Sequence, residues 1–381
     1  MVMEQFFADT RSSLINALEK RQKQLVAIYD KAFPAMGKDT LDRLFEYTKR
    51  GKMLRGCLVS LGLELFEGPS DEQRQAALLA GAALELFQSG LLIHDDIMDR
   101  DRLRRGKPTL HAAYEDELSR AGYAEPEHYG QALAICAGDL AFFSAFELLA
   151  EVPLNAGLQR KLVSTAAKEL SLVGIAQMRD VANGALQPTT GPIASFDHRP
   201  AKQNKKPGSE PDEEAILALY RHKTARYTFS LPLALGFVIA SASDVQRGQI
   251  EQLGEKLGLI FQLKDDELGL FADEKTLGKP VGTDIRENKR TLHRLFLFDK
   301  AEPELRSRLE AIFGSKKLSI EDLAIVRNSL EGLGIRRQLA DKMHELAGEA
   351  RHLASPFMAK APAAAKGALN WLIAYSLSRE F

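Results

Sequence analysis

Hydrophobic positions along this chain recur mostly at helical spacing. Ala, Leu, Glu, Lys and Arg fill nearly every segment and alternating β-branched runs are scarce, so an all-α protein is predicted. Asp71-Glu72-Gln73-Arg74 places acid in the first turn of an apolar helix, the end that favours negative charge. Ser319-Ile320-Glu321-Asp322 reads as a capped start, with Ser319 as N-cap and Asp322 where Glu or Gln is usual, and Gly332-Leu333-Gly334 ends that helix. Two apolar runs approach the lower length limit of a membrane span. The run 76–94 carries Glu85 and Gln88 in its middle and ends in an acid cluster; the run 227–243 is uncharged but holds Pro232 and small polar residues. Both are expected to be buried helices, with no transmembrane segment. The stretch 187–214 breaks the pattern, being rich in Pro, Lys, Asp, Ser and Thr and poor in aliphatic residues. It predicts a mobile surface insertion within one domain covering 1–381, because the motifs on its two sides belong to one site.

Charge and cysteine content narrow the function classes. The 381 residues carry 51 Lys and Arg against 52 Asp and Glu, so no basic field points to a nucleic-acid partner. The only cysteines, Cys57 and Cys136, sit in apolar helical stretches. They predict no disulfide framework and a cytoplasmic location. The first sixteen residues contain Glu4 and Asp9 and no long apolar core, so no signal peptide is expected.

The chemistry concentrates in two acid clusters, His94-Asp95-Asp96-Ile97-Met98-Asp99 and Gln262-Leu263-Lys264-Asp265-Asp266-Glu267. On a helix, Asp99 returns to the face of Asp95, Asp96 lies at its edge, and Gln88 falls on the same face two turns earlier. Three carboxylates on one arc repel each other unless a cation screens them. Leu91-Leu92-Ile93 just upstream place them at the mouth of an apolar cavity. Gln262, Asp265 and Asp266 share a face of a second helix, and the two helices are expected to oppose each other in a bundle. Oxygen donors without thiols suit Mg²⁺, which binds through a few carboxylates plus substrate phosphates. Cations stand where an anionic substrate needs them: Lys52 and Arg55 one turn apart, Arg104 and Arg105 after the first cluster, Lys223 beside Thr224, Lys279 in a glycine-bounded loop, and Lys289 beyond it. Each alone reads as a surface charge; together they can serve two diphosphates, one held through metals and one by bare cations.

These residues resemble the trans-isoprenyl diphosphate synthase family, the polyprenyl synthetases, from about Lys49 onward apart from the insertion. The family's DDxxD motif followed by RRG matches Asp95, Asp96, Asp99, Arg104, Arg105 and Gly106. GGKxxR matches at residues 50–55 with Arg50 replacing a glycine, GQxxD at Gln177 and Asp180 with Ala176 replacing glycine, KT at Lys223-Thr224, and FQxxDD at 261–266. The GKxxGTD loop and its later lysine match at Lys279, Asp284 and Lys289. One position departs: Gly269 stands where the second motif usually carries a third acid, which removes that helix's i,i+4 carboxylate.

The resemblance implies an isoprenoid synthase helical bundle around a central apolar cavity, a homodimer, and two or three Mg²⁺ ions. It implies addition of isopentenyl diphosphate to dimethylallyl, geranyl or farnesyl diphosphate. Asp95, Asp99 and Asp265 would hold metal with Asp96 and Asp266 in support. Lys223, Lys279 and Arg104 would clamp the allylic diphosphate, and Lys52, Arg55 and Arg105 would hold isopentenyl diphosphate with help from Gln88. Gln177 and Lys289 are further substrate-binding residues, and Thr224 with Gln262 would ease the carbocation. In the family, bulk one turn before the first motif blocks the growing chain; here Ser89-Gly90-Leu91 leaves a small residue, so the tunnel is expected to pass beyond a farnesyl chain. Phe87 is the expected floor, with Phe142, Phe143 and Phe146 facing it, and geranylgeranyl diphosphate the expected product. Farnesyl or longer products, a class I terpene cyclase, a metal phosphohydrolase read from His94-Asp95, and a non-catalytic prenyl diphosphate-binding subunit are the alternatives.

Overall fold

Local capping sets the helix starts. Ser70 accepts from the Gln73 backbone N–H while the Gln73 side chain accepts from the Ser70 N–H, closing a capping box ahead of the helix Asp71–Met98. The expected box at Ser319 and Asp322 is present, and its helix runs Ile320–Gly332. The structure, a computed structural model, describes residues 5–185, 211–272, 281–315 and 317–379. Most of the expected insertion and Lys279 lie outside the described residues.

The helices are α1 (Gln5–Ala32), α2 (Met36–Lys49), α3 (Leu54–Glu64), α4 (Asp71–Met98), α5 (Leu110–Arg120), α6 (Pro126–Ala150), α7 (Ala156–Ala185), α8 (Glu213–Tyr220), α9 (Leu231–Ile239) and α10 (Asp244–Phe271). A π-helical stretch, Arg221–Ser230, links α8 to α9. Shorter and longer helices follow from Thr283–Arg286 to Ala363–Ser378. Among the described residues the only strands are Leu103–Arg104 and Lys107–Pro108, a two-residue antiparallel hairpin.

The chain divides into two compact units. The first comprises Met1–Lys168, Thr228–Gly254 and Arg351–Tyr375. Here α4 packs against α1, α3, α6 and α9. Leu58, Leu61, Leu84 and Phe87 are wholly buried, each contributing about 1.5–3 kcal/mol. Two glycine pairs set how closely helices approach α4. A Cβ on Gly81 would stand 2.7 Å from the Gly56 carbonyl oxygen, and one on Gly90 would stand 2.9 Å from the Gly138 carbonyl oxygen. Alanine at these positions would drive helices apart. The run 227–243 supplies α9, all nine residues of which are buried, as expected. Two described helices, Asp71–Met98 and Pro126–Ala150, are long and apolar enough to cross a membrane by length and composition. In the first, 72% of the most apolar window is buried inside the protein, as expected of a core helix; in the second the share is 44%.

The second unit comprises Glu169–Tyr227, Glu255–Ala350 and Ser376–Phe381. Ile260, Leu263, Leu297, Leu309, Val326, Leu330 and Ile335 form its core. Helix Leu292–Lys300 packs against α8 and against Ile320–Gly332. Its His293 is buried and lines a small cavity with Asp266 and Asp284. Burial pushes the His293 imidazole down to about 4. An imidazole that is neutral when folded but free to charge when unfolded binds fewer protons in the native state, so stability falls as pH drops from 6.5 toward 4. The expected loss is roughly 3 kcal/mol once the pH has fallen through the folded-state value. Urea titrations at pH 7 and pH 4.5 should show a smaller acid loss for His293→Leu than for the wild type; equal losses would exclude His293 as a source.

Candidate active site

The first acid motif closes α4. Asp95 and Asp99 are partly exposed, whereas Asp96 is 1% exposed. Successive helical side chains diverge by about 100°, so Asp96 cannot share its neighbour's outlook. It turns into the first unit, where Tyr47 donates a 2.7 Å hydrogen bond to it and Arg104 pairs with it. The Arg104 guanidinium also lies 3.9 Å from Asp95 and 3.6 Å from Asp101. Burial pushes the Asp96 carboxyl up to about 6, and Arg104 and Tyr47 limit that rise.

The hairpin explains how Arg104 reaches back. Leu103 pairs with Pro108 and Arg104 with Lys107, so Arg105-Gly106 is a two-residue turn. Both turn residues have positive φ, 53° and 71°, as a type I′ turn requires. Glycine takes this conformation freely and Arg105 does not, at a cost of order 1–3 kcal/mol. The strained turn sends the two arginines apart. Arg104 meets the acids, and Arg105 reaches Gly51, where its guanidinium leaves 3.0 Å for a Cβ at that position.

The basic residues before α3 are held in the same unit. Arg11 donates to the Gly51 and Lys49 carbonyls and fixes the approach to Lys52. Lys52 is exposed and donates to the Tyr375 hydroxyl at 2.9 Å. Arg55 donates to Thr228 at 2.7 Å. Glu85 lies behind this turn, buried in α4, and accepts the Gly56 N–H at 2.8 Å. Burial pushes its carboxyl up. Gln88 is half-buried on the Asp95 side of α4. His94 turns toward α6, with Nε2 3.1 Å from the Ile135 carbonyl and its ring edge-on to Phe142.

The second motif repeats the arrangement within the second unit. Asp265 is 40% exposed at its side chain and Asp266 is 3% exposed. Tyr220 donates to Asp266, as does Gln262 at 2.7 Å, and the Leu292 N–H donates to the Tyr220 hydroxyl at 3.2 Å. Burial raises the Asp266 carboxyl well above its ordinary range, and nearby Asp284 adds to the rise. Arg379 donates to Asp265 at 2.7 Å and lies 3.5 Å from the centre of the Phe261 ring. Lys223 pairs with Asp180, which joins the GQxxD and KT segments, with Gln177 half-buried on the turn before Asp180 and Thr224 beside Lys223 in the π-helical stretch. Such widened turns recur at functional sites. Lys289 lies 2.8 Å from Glu287 and 3.8 Å from Asp284. A carboxylate also returns to the position vacated by the third acid. Asp284 Oδ2 stands 3.5 Å from where a Cβ on Gly269 would be, and the Gly282 N–H donates to the Gly269 carbonyl.

Each motif thus pairs an outward acid with a buried acid anchored by a tyrosine. Tyr47, Tyr220, Glu85 and the placement of Asp284 over Gly269 were not legible from the motifs alone. The signal available was geometric: adjacent aspartates on a buried helix need a buried donor for the second one.

A polyprenyl synthetase family model matches residues 38–330, a span that contains every sequence motif above. The chain belongs to the polyprenyl synthetase family. It is a trans-prenyltransferase of the all-α isoprenoid synthase fold. It is 33% identical over 281 residues to a geranylgeranyl diphosphate synthase of Sulfolobus acidocaldarius, covering 73% of this chain and 72% of that one. It is 30% identical over 338 residues to the corresponding synthase of Saccharolobus solfataricus, covering 87% and 88%. Among solved structures, a Corynebacterium glutamicum geranylgeranyl pyrophosphate synthase complexed with isoprenyl diphosphate and magnesium aligns over 100% of both chains, with a TM-score of 0.80 and 27% identity.

The donor set of this family member fits a hard divalent ion. Asp95 and Asp99 in the first unit, and Asp265 in the second, each offer oxygen only, and no thiol lies among the motif residues. Among the described residues, no three acids, histidines or cysteines come together as a ready-made cage. Mg²⁺ keeps several waters and binds through one or two carboxylates plus substrate phosphates.

Proposed function

We propose that this enzyme condenses isopentenyl diphosphate head-to-tail with an allylic diphosphate, in a Mg²⁺-dependent reaction, and releases an all-trans prenyl diphosphate, geranylgeranyl diphosphate being the main product. The observation that carries the reading is that each acid motif turns one carboxylate outward beside an arginine of its own unit, Asp95 near Arg104 and Asp265 on Arg379, on a chain of this family. The allylic C–O bond breaks with its electron pair leaving on diphosphate. The π electrons of isopentenyl diphosphate then form the new C–C bond, and the departing diphosphate takes the proton.

Magnesium, when bound as two or three ions, would neutralise charge building on the leaving diphosphate. Asp95, Asp99 and Asp265 are the carboxylates that would hold it. Asp96 and Asp266 act as buried positioning residues behind them, and Asp284 supplies the acid that Gly269 lacks. Arg104, Lys223, Lys279 and Lys289 stabilise the same developing anion, the kind of fixed electrostatic help that contributes most in a water-poor site. Lys52, Arg55 and Arg105, with Gln88, bind the diphosphate of isopentenyl diphosphate. Gln177, Thr224 and Gln262 offer dipoles to the allylic cation. Arg379 holds Asp265 and would have to release that carboxylate for it to ligate a metal. His94 directs Nε2 to the Ile135 carbonyl on α6, which does not favour the phosphohydrolase reading.

We also infer a cytoplasmic homodimer acting as one polyprenyl synthetase domain. On α6, Leu133, Ile135 and Phe143 face outward, Phe143 being 71% exposed, and an apolar face of this kind fits a second copy of the chain. Sedimentation of the purified protein tests the dimer.

The function is tested by incubating the purified chain with Mg²⁺, labelled isopentenyl diphosphate and farnesyl diphosphate. Incorporation of label into a longer linear prenyl diphosphate is expected. A cyclised hydrocarbon without incorporated label would instead identify a terpene cyclase, and binding without turnover a non-catalytic subunit.

A further inference from the structure

The small residue before the first acid motif does not leave open space. A Cβ built on Gly90 would stand 2.6 and 2.8 Å from two ring carbons of Phe142. The ring of Phe142, carried by α6, therefore lies directly on the Gly90 backbone. Close approach of the two helices makes this possible, because Gly90 and Gly138 both lack side chains at the crossing.

Phe142 is held from above and below. The His94 ring meets it edge-on with centroids 5.4 Å apart, and His94 is itself seated on Gly138, where a Cβ would stand 2.4 Å from Nε2. Phe87 lies below, 6.5 Å from the Phe142 centroid, and packs edge-on against Phe146 at 4.7 Å. The rings form a column that descends α4 from the acid motif. Gly90 is five residues before Asp95, so Phe142 crosses α4 about 7.5 Å below that carboxylate; Phe87, eight residues before, lies about 12 Å below.

The two candidate floors differ in exposure. Phe87 is 0% exposed, so it presents no surface to anything entering alongside α4. Phe142 is only partly buried. Phe143, expected to face Phe87, is turned outward instead.

We infer that Phe142, reaching across from α6 to cover Gly90, is the residue that limits the length of the prenyl product. The inference rests on the prenyltransferase reading and names the specificity residue of that same site. Bulk absent from α4 at Gly90 is restored at the same level by a neighbouring helix. A growing tail whose head sits at Asp95 and Asp99 meets this ring first and Phe87 only after it. Phe87 is the packing support beneath.

The test compares Phe142→Ala, Phe142→Leu and Phe87→Ala with the wild type, using farnesyl and isopentenyl diphosphates with Mg²⁺ and chromatography of the dephosphorylated products. Phe142→Ala should extend the longest major product by one or more five-carbon units, and Phe142→Leu should shift it less in the same direction. Phe87→Ala should keep the wild-type product length while lowering the melting temperature. Should Phe142→Ala fail to fold, the leucine variant carries the test. Wild-type product lengths from an active, helical Phe142 variant, or lengthening by Phe87→Ala alone, would overturn the assignment. A wild-type chain that incorporates no isopentenyl unit is a separate failure, that of the prenyltransferase reading itself.

Discussion

Asp95→Ala should lower prenyl transfer by about 10²–10³-fold or more, the scale on which a transition-state charge stabiliser acts. Asp95 is partly exposed at the end of α4, and its 3.9 Å approach to Arg104 is long beside the direct pairing of that arginine with Asp96. The far-ultraviolet circular dichroism and the unfolding midpoint should therefore stay close to wild type. Turnover at the wild-type rate would remove Asp95 from the catalytic carboxylates.

Asp96→Ala should show the opposite profile, with stability lost first. Asp96 is the shared acceptor of Tyr47 and Arg104 at 1% exposure. Its removal leaves a guanidinium that is largely withdrawn from water with only the longer approaches to Asp95 and Asp101, and breaking a buried pair costs up to about 3–5 kcal/mol. Urea unfolding measures the loss. Tyr47→Phe should cost less, because it removes one neutral donor and leaves the Asp96–Arg104 pair intact. If Asp96→Ala unfolds at the wild-type denaturant concentration, Asp96 is no anchor and its role beside Asp95 must be direct.

The contrast between neighbouring aspartates shows what the sequence makes legible. Residue type and spacing identify the acid motifs, the cation sets and the capping box at Ser319, because each is a local pattern on one helix. They also place the run before Asp95 in the core, since Glu85 and Gln88 interrupt it too early for a membrane span. Partners brought from distant segments are not local patterns. Tyr47 and Tyr220 carry no motif signature, and only the fold brings them to Asp96 and Asp266. Likewise Asp284 returns over Gly269 through a loop, so an acid missing from one helix position is compensated from another element.

Helix α6 shows a second kind of limit. Up to its last turn, where Leu148 and Leu149 are buried, its buried face is built from Gly130, Ala134, Ala137, Gly138, Ala141, Ser144 and Ala145, while Leu133, Ile135 and Phe143 point outward. Hydrophobicity alone would bury the large side chains. Close packing against α4 selects the small ones instead, because the helix backbones nearly touch at Gly90 and Gly138. The reading that Gly90 opens the tunnel is incomplete for the same reason: the residue filling that space lies more than fifty positions away, on a helix whose orientation no periodicity reveals. The Arg105-Gly106 turn is similarly hidden, because arginine is not a residue that announces positive φ.

The central claim is that outward carboxylates of both motifs hold the divalent ions that bind diphosphate. Anomalous diffraction from crystals grown with Mn²⁺, isopentenyl diphosphate and an unreactive allylic diphosphate analogue tests it most directly. The account predicts metal peaks bonded to Asp95, Asp99 and Asp265, with Arg379 displaced from Asp265 and with Asp96 and Asp266 still on their tyrosines. Diphosphate bound with no metal on those three carboxylates, or metal on Asp96 and Asp266 in their stead, would contradict it.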